Sequence, residues 1–113
     1  MEKDDIVITS AFRTAIGKFN GSLSSQTAPE LGSTVIKKCI EKSELKKEEI
    51  DMVYMGQVLT TGSGQNPARQ ASILAGLTNE TTNTTINQVC GSGLASVALA
   101  YNSIKSGDGK VIL

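Results

Sequence analysis

The chain has 113 residues, with 11 basic and 11 acidic side chains, no histidine, two cysteines and 39% apolar residues. That composition fits one ordinary soluble domain or a piece of one. A zero formal charge without a Lys or Arg cluster argues against a sequence-independent hold on nucleic acid. Cys39 and Cys90 stand too far apart for a metal-ligand spacing or a dense disulfide framework, so no metal site is expected and a reducing compartment is the default.

The chain opens on Met1-Glu2-Lys3-Asp4-Asp5, which lacks the apolar core of a signal peptide, and nothing downstream reads as a membrane span. The expected location is therefore cytoplasmic, with no membrane partner. Ile6-Val7-Ile8-Thr9 is the first strand candidate, followed by a polar, Gly-containing connection over residues 13–27. Pro29 suits a first helical turn with Thr27 or Ala28 as cap. Leu31, Val35 and Cys39 then fall four apart, with Ile36 and Ile40 beside them, in an amphipathic helix ending near Ser43. The Lys- and Glu-rich stretch 37–49 reads as a solvated face.

Met52-Val53-Tyr54-Met55 is a nearly all-apolar second strand closed by Gly56, and residues 60–65 form a loop. Asn66-Pro67 restarts a helix, with Arg69, Gln70, Ile73 and Leu74 on it and Gly76 ending it. Residues 84–89 make a third strand, 93–106 a third helix, and Lys110-Val111-Ile112-Leu113 begins a fourth strand. Strands alternating with helices predict an α/β fold with a mostly parallel sheet and flanking helices. No linker or repeat divides residues 1–113.

Residues 81–104 carry no charge, and the helix within them has small or apolar side chains on every side, Leu94, Ala95, Val97, Ala98, Leu99, Ala100 and Tyr101. A helix hydrophobic all round must be covered all round. With the chain stopping inside an apolar strand, this reads as the N-terminal fragment of a larger protein.

Val89-Cys90-Gly91-Ser92-Gly93-Leu94 marks the third strand-to-helix junction. A cysteine there faces unpaired N–H groups and the positive end of a helix, which favour thiolate over thiol. The glycines let the backbone turn sharply and a substrate approach closely, and the neighbouring N–H groups suit an oxyanion. The pattern fits a nucleophile and, equally, a small buried cysteine beside a phosphate-cradling turn. No histidine is present to move protons for it.

The segment Ile86-Asn87-Gln88-Val89-Cys90-Gly91-Ser92-Gly93-Leu94 resembles the active-site segment of the thiolases. Gly56-Gln57-Val58-Leu59, Gly64-Gln65-Asn66-Pro67-Ala68-Arg69-Gln70 and Ser10-Ala11-Phe12-Arg13-Thr14-Ala15-Ile16-Gly17 resemble further segments of that family, in the same order. Ketoacyl synthases and hydroxymethylglutaryl-CoA synthases place a cysteine on a similar turn but lack the run from Gln65 to Gln70. Two departures stand out: Ala15 where the family usually has proline, and Gln88 where a basic or thioether residue is common.

The resemblance implies a thiolase-like layered fold, of which residues 1–113 are the incomplete N-terminal domain. It also implies an acyltransferase that forms or cleaves acetoacetyl-CoA or another 3-oxoacyl-CoA through an acyl group on Cys90. The substrates are acyl-CoA and acetyl-CoA, and no further cofactor is implied. A second, acid–base cysteine and the activating histidines belong to later segments of the family. Cys39 is read as a core residue instead, and Arg13 and Arg69 as structural residues in preference to coenzyme A phosphate contacts. The resemblance further implies that the third strand lies at a sheet edge and pairs with its twin in a homodimer or homotetramer. The competing readings are a thiolase for longer 3-oxoacyl-CoA and a non-catalytic thiolase-like domain.

Overall fold

The computed structural model describes residues 5–113, so the acidic start, Met1 to Asp4, lies outside the described residues. Three helices and two strands follow in the order α1 (Ala28–Ser43), β1 (Met52–Gly56), α2 (Pro67–Leu74), β2 (Thr82–Ile86) and α3 (Ser92–Ser106), with a short 3-10 turn at Lys47–Glu49 before β1. The α/β expectation holds.

Local chemistry marks several of the helix ends. Thr27 caps α1: its hydroxyl accepts the Glu30 N–H, while the Glu30 carboxylate accepts the Thr27 N–H at 2.7 Å, a reciprocal box with Pro29 in the first turn. The Thr27 N–H, and after it the Thr27 hydroxyl, which donates to the same carboxylate at 2.9 Å, hold the Glu30 carboxyl below its ordinary pKa. Asn66 caps α2, its Oδ1 accepting from the Arg69 N–H. Gly107, at φ +86°, closes α3 in the left-handed conformation that glycine adopts without a Cβ clash.

β1 and β2 are parallel, with Met52 opposite Thr82 and Gly56 opposite Ile86. The Thr82 N–H donates to the Asp51 carbonyl and the Gln57 N–H to the Ile86 carbonyl. By the alternation of a parallel ladder, the backbone groups of Asn83 and Thr85 therefore point away from β1, toward the outer edge of β2. Asn83 meets one partner there, since its carbonyl accepts from Asn66 Nδ2 at 3.0 Å.

Alternation along β1 also separates two layers. Val53 and Met55 face α1 and α2, where Ile36, Ile40, Ile50, Val53, Ala71, Ala75 and Leu77 make the buried core. Tyr54 and Gly56 face α3, the Tyr54 hydroxyl lying 2.9 Å from Ser103 Oγ and a Cβ on Gly56 meeting Ser92. The other face of α3 is uncovered among the described residues: Leu94 is 78% exposed, and Val97, Leu99 and Tyr101 are also exposed.

The expected first strand, residues 6–9, is not a strand. Both edges of β1 are occupied, one by β2 and the other by residues 111–113. The Asp51 N–H donates to the Val111 carbonyl, the Tyr54 N–H to the Leu113 carbonyl and the Leu113 N–H to the Met52 carbonyl. Residues 6–10 join no ladder and run irregularly, Ile8 is 78% exposed, and Thr9 and Ser10 are held through the Ser43 hydroxyl. The anticipated fourth strand is thus a parallel bridge to Met52.

The third strand is shifted to Thr82–Ile86, because residues 87–91 leave the ladder for a turn. In α1 the core stripe is Gly32, Ser33, Ile36 and Ile40, whereas Leu31, Val35 and Cys39 are only half-buried. Cys39 therefore sits at the margin of the core, not inside it.

Residues 110–113 are anchored by one carboxylate. Asp51 accepts the Lys110 N–H at 2.6 Å and the Val111 N–H at 3.0 Å, and these bonds, Lys110 first, hold its carboxyl below its ordinary pKa of 3.8. A carboxyl with a depressed folded-state pKa stabilises the fold above its unfolded pKa, and the contribution is lost as pH falls through the folded value. Amide exchange at Lys110 and Val111, taken relative to the intrinsic rate at each pH, is therefore expected to accelerate as pH falls from the ordinary Asp value of 3.8 through the lower folded value. Asp51→Asn should accelerate it at neutral pH; unchanged exchange in that variant would refute the anchor.

Candidate active site

Residues 87–91 connect the end of β2 to the start of α3, and Cys90 lies on this turn with an exposed side chain. The turn is closed by side chains from both of its ends. Ser92 Oγ accepts the Gln88 N–H at 2.9 Å and donates to the Val89 carbonyl at 2.6 Å. Asn87 Oδ1 accepts the Val89 N–H at 2.8 Å, and Asn87 Nδ2 donates to the Val58 carbonyl at 2.9 Å, fastening the turn to the loop that leaves β1.

The residue that makes the sharp turn is Val89, at φ +50°. A β-branched residue in the left-handed region is a genuine outlier and persists only where its surroundings hold it. From the sequence, that role falls to the flanking glycines, and the structure corrects it: Gly91 has φ −84°. Gly93 serves differently, since a Cβ there would meet nothing within 4 Å and the approach to the helix start is open. Among the described residues, the Gly93 and Leu94 N–H groups donate to no protein acceptor, whereas Gly91, Ser92 and Ala95 donate to the carbonyls of Gln88, Val89 and Gly91. Two directed donors thus lie at the N-terminal end of α3, beside Cys90.

Gly56 explains how β1 reaches this turn. An added Cβ would lie 2.5 Å from Ser92 Cβ and 3.0 Å from the Ser92 carbonyl carbon, so only glycine permits the end of β1 to touch the start of α3.

The remaining motif residues hold the loop between β1 and α2. Gln57 Nε2 donates to the Leu59 carbonyl and to Ser63 Oγ, and Gln70 Nε2 donates to the Ser63 and Gln65 carbonyls. Asn66 Oδ1 accepts from Thr85 Oγ1 at 2.8 Å, and Thr85 Oγ1 accepts the Ala68 N–H at 2.9 Å, joining α2 to β2. Arg69 has the structural role expected of it, its guanidinium donating to the Asn79 and Thr81 carbonyls and to Asn79 Oδ1. Arg13 lies elsewhere, in a groove of about 350 Å³ that Phe12 and Thr14 form with Thr34, Val35, Lys37, Lys38 and Glu41 of α1.

Sequence reasoning missed the roles of Asn87, Ser92 and Gly56. An asparagine two residues before a turning residue is a signal for an Asx turn, and could have pointed to Asn87. Among the described residues, no cluster of His, Cys, Asp or Glu could hold a metal ion, and no helix is long and apolar enough to cross a membrane.

Residues 6–113 match the sequence model of the thiolase N-terminal domain. The chain is 57% identical over 109 residues to an acetyl-CoA acetyltransferase of Cupriavidus necator, covering 96% of this chain and 28% of that protein. It is 54% identical over 109 residues to one of Chromobacterium violaceum, with the same coverage of each. It is 53% identical over 107 residues to one of Escherichia coli, covering 95% of this chain and 27% of the relative. The chain thus spans a little over a quarter of the length of the curated relatives it matches.

Proposed function

The chain belongs to the thiolase family, and from that premise we propose that residues 1–113 are the N-terminal part of an acyltransferase that forms or cleaves acetoacetyl-CoA or a related 3-oxoacyl-CoA. The observation that carries this reading is the exposed Cys90 on a clasped turn, beside the open Gly93 and Leu94 N–H groups. In the proposed first step Cys90 Sγ attacks the thioester carbonyl of an acyl-CoA. Cys90 gives up its thiol proton as the new C–S bond forms, the C–S bond to coenzyme A breaks, and the leaving coenzyme A thiolate takes up that proton. The carbonyl oxygen gathers negative charge in the transition state, and N–H donors at a helix start suit that charge. In the second step the acyl group passes to the α-carbon of acetyl-CoA, with the Cys90 thiolate as leaving group.

Removing the α-proton needs a base. This chain has no histidine, so the base belongs to the remaining length that the relatives have. Cover for the exposed apolar side chains of α3, Leu94, Val97, Leu99 and Tyr101, is assigned to the same part. Two free cysteines agree with a cytoplasmic location.

The test is to incubate a full-length thiolase carrying this chain with isotopically labelled acetyl-CoA, quench with acid and map the labelled peptide. Label on Cys90 is expected. Label on Cys39 alone, or no acyl-enzyme with catalysis intact, overturns the reading.

Assembly follows from the same reading: a homodimer or homotetramer in which β2 pairs with its twin across a two-fold axis. Its support is that β2 is bordered by β1 on one side only, and that the Thr85 N–H points to the other side. Thr85→Pro, which removes that donor, is expected to weaken the dimer. Thr85→Val is the control, because it loses the same hydroxyl bonds to Asn66 and Ala68 but keeps the N–H. Light scattering that shows equal dimer content in both folded variants would exclude this edge as the interface.

A further inference from the structure

We propose that Asn87 is a positioning residue for Cys90: it holds Val89 in the left-handed conformation that aims the cysteine, and ties the turn to the loop after β1. The proposal rests on the reading of Cys90 as the acyl acceptor. Three observations carry it. Val89, next to Cys90, stands at φ +50°, a conformation that a β-branched residue does not hold unaided. The Asn87 side chain makes one bond on each side of the problem, accepting the Val89 N–H at 2.8 Å and donating to the Val58 carbonyl at 2.9 Å. Ser92 closes the opposite side, accepting the Gln88 N–H and donating to the Val89 carbonyl, and is itself buried against Gly56.

The Val89 peptide is thus gripped at its N–H by Asn87 and at its carbonyl by Ser92. Without Asn87, the Val89 N–H loses its partner, and only the Ser92 contacts and the Gly91 N–H bond to the Gln88 carbonyl oppose relaxation of Val89 toward negative φ. Such a relaxation swings the following residue, and a misplacement of about 1 Å in a reacting group is enough to cost on the order of 100-fold in rate. Asn87 touches no reacting atom in this scheme and acts only through the backbone of Val89.

The experiment uses a full-length thiolase carrying this chain and measures the single-turnover rate of Cys90 acylation by acetyl-CoA, KM for acetyl-CoA and thermal unfolding. Asn87→Ala is expected to slow acylation by ~10–100-fold with KM changed less than about threefold. The decisive arm is the double variant Asn87→Ala/Val89→Gly. Glycine accepts positive φ without the Cβ penalty, so the second change is expected to return about tenfold of the lost rate. A merely structural role for Asn87 predicts no such rescue, because glycine adds no contact.

Acylation of Asn87→Ala within about twofold of the parent, or failure of Val89→Gly to restore any rate, overturns the proposal while leaving Cys90 as acyl acceptor. If Asn87→Ala does not fold, Ser92→Ala with and without Val89→Gly poses the same question from the carbonyl side, with the same two outcomes. A parent enzyme that acylates elsewhere than Cys90 overturns the functional reading itself, and the positioning proposal with it.

Discussion

Replacing Cys90 by alanine in a full-length thiolase carrying this chain should lower kcat by about 10⁴-fold or more, whereas Cys39→Ala should leave it within about threefold. Enzymes that act through a covalent acyl intermediate lose most of their rate with the nucleophile, and what survives comes from binding and oxyanion donors. Here the Gly93 and Leu94 N–H groups would remain in place without Cys90 Sγ. Cys39 lies half-buried on α1 at the margin of the core, so its truncation removes one sulfur from packing and nothing from the turn. Steady-state acetoacetyl-CoA cleavage is the measurement. A Cys90→Ala enzyme that keeps more than about a tenth of the parental kcat would remove Cys90 from the mechanism.

The second large effect is expected at Gly56, which touches no substrate in the proposed scheme. Gly56→Ala puts a methyl 2.5 Å from Ser92 Cβ and 3.0 Å from the Ser92 carbonyl carbon, so helix α3 must move at its first residue. Overpacking of this kind costs about 1–3 kcal/mol. Ser92 is also the residue that clasps Gln88 and Val89, so the displacement passes directly to Cys90. We expect a loss of ~100-fold in kcat alongside the lowered melting temperature.

Gly32 supplies the contrast. Its added Cβ would meet the flexible Met55 Cε at 2.8 Å and Ala71 Cβ at 3.1 Å, and alanine within a helix regains about 1 kcal/mol of propensity. Gly32→Ala is therefore expected to leave kcat within about threefold. Equal losses of kcat in the two variants would show that Gly56 acts through general stability and not through the turn.

Much of this architecture is legible in the order of residues alone. Thr27 with Glu30, Asn66 with Pro67, and Gly107 after Ser106 mark helix ends through bonds that span only a few residues, so local order in the chain suffices to read them. The uncharged run 81–104 likewise foretells an α3 with more apolar surface than its neighbours here cover. Cys90 at a strand-to-helix turn is legible for the same reason, since the change from β-branched residues to a Gly-Ser-Gly start lies within a few positions.

What the sequence could not settle were the choices that depend on distant residues. Residues 6–9 have the composition of a strand, but a strand exists only where it pairs with an edge: both edges of β1 are taken by β2 and by residues 111–113, and residues 6–9 pair with neither of the outer edges that remain. Which stripe of α1 faces inward was decided by the close approach of Gly32 to Met55 and Ala71, which rotates Ile36 and Ile40 into the core and leaves Cys39 at its margin. The geometry of the Cys90 turn was decided in the same way. Val58 and Gly56 reach it across 29 positions of chain or more, and together with Asn87 and Ser92 they hold a valine where glycine was expected to bend. Residue type and spacing determine capping, periodicity and the place of Cys90 at a strand-to-helix turn because those rest on local hydrogen bonds and side-chain alternation. Edge occupancy, helix rotation and a strained φ rest on contacts between segments far apart in the chain, and only the assembled tertiary structure brings those together.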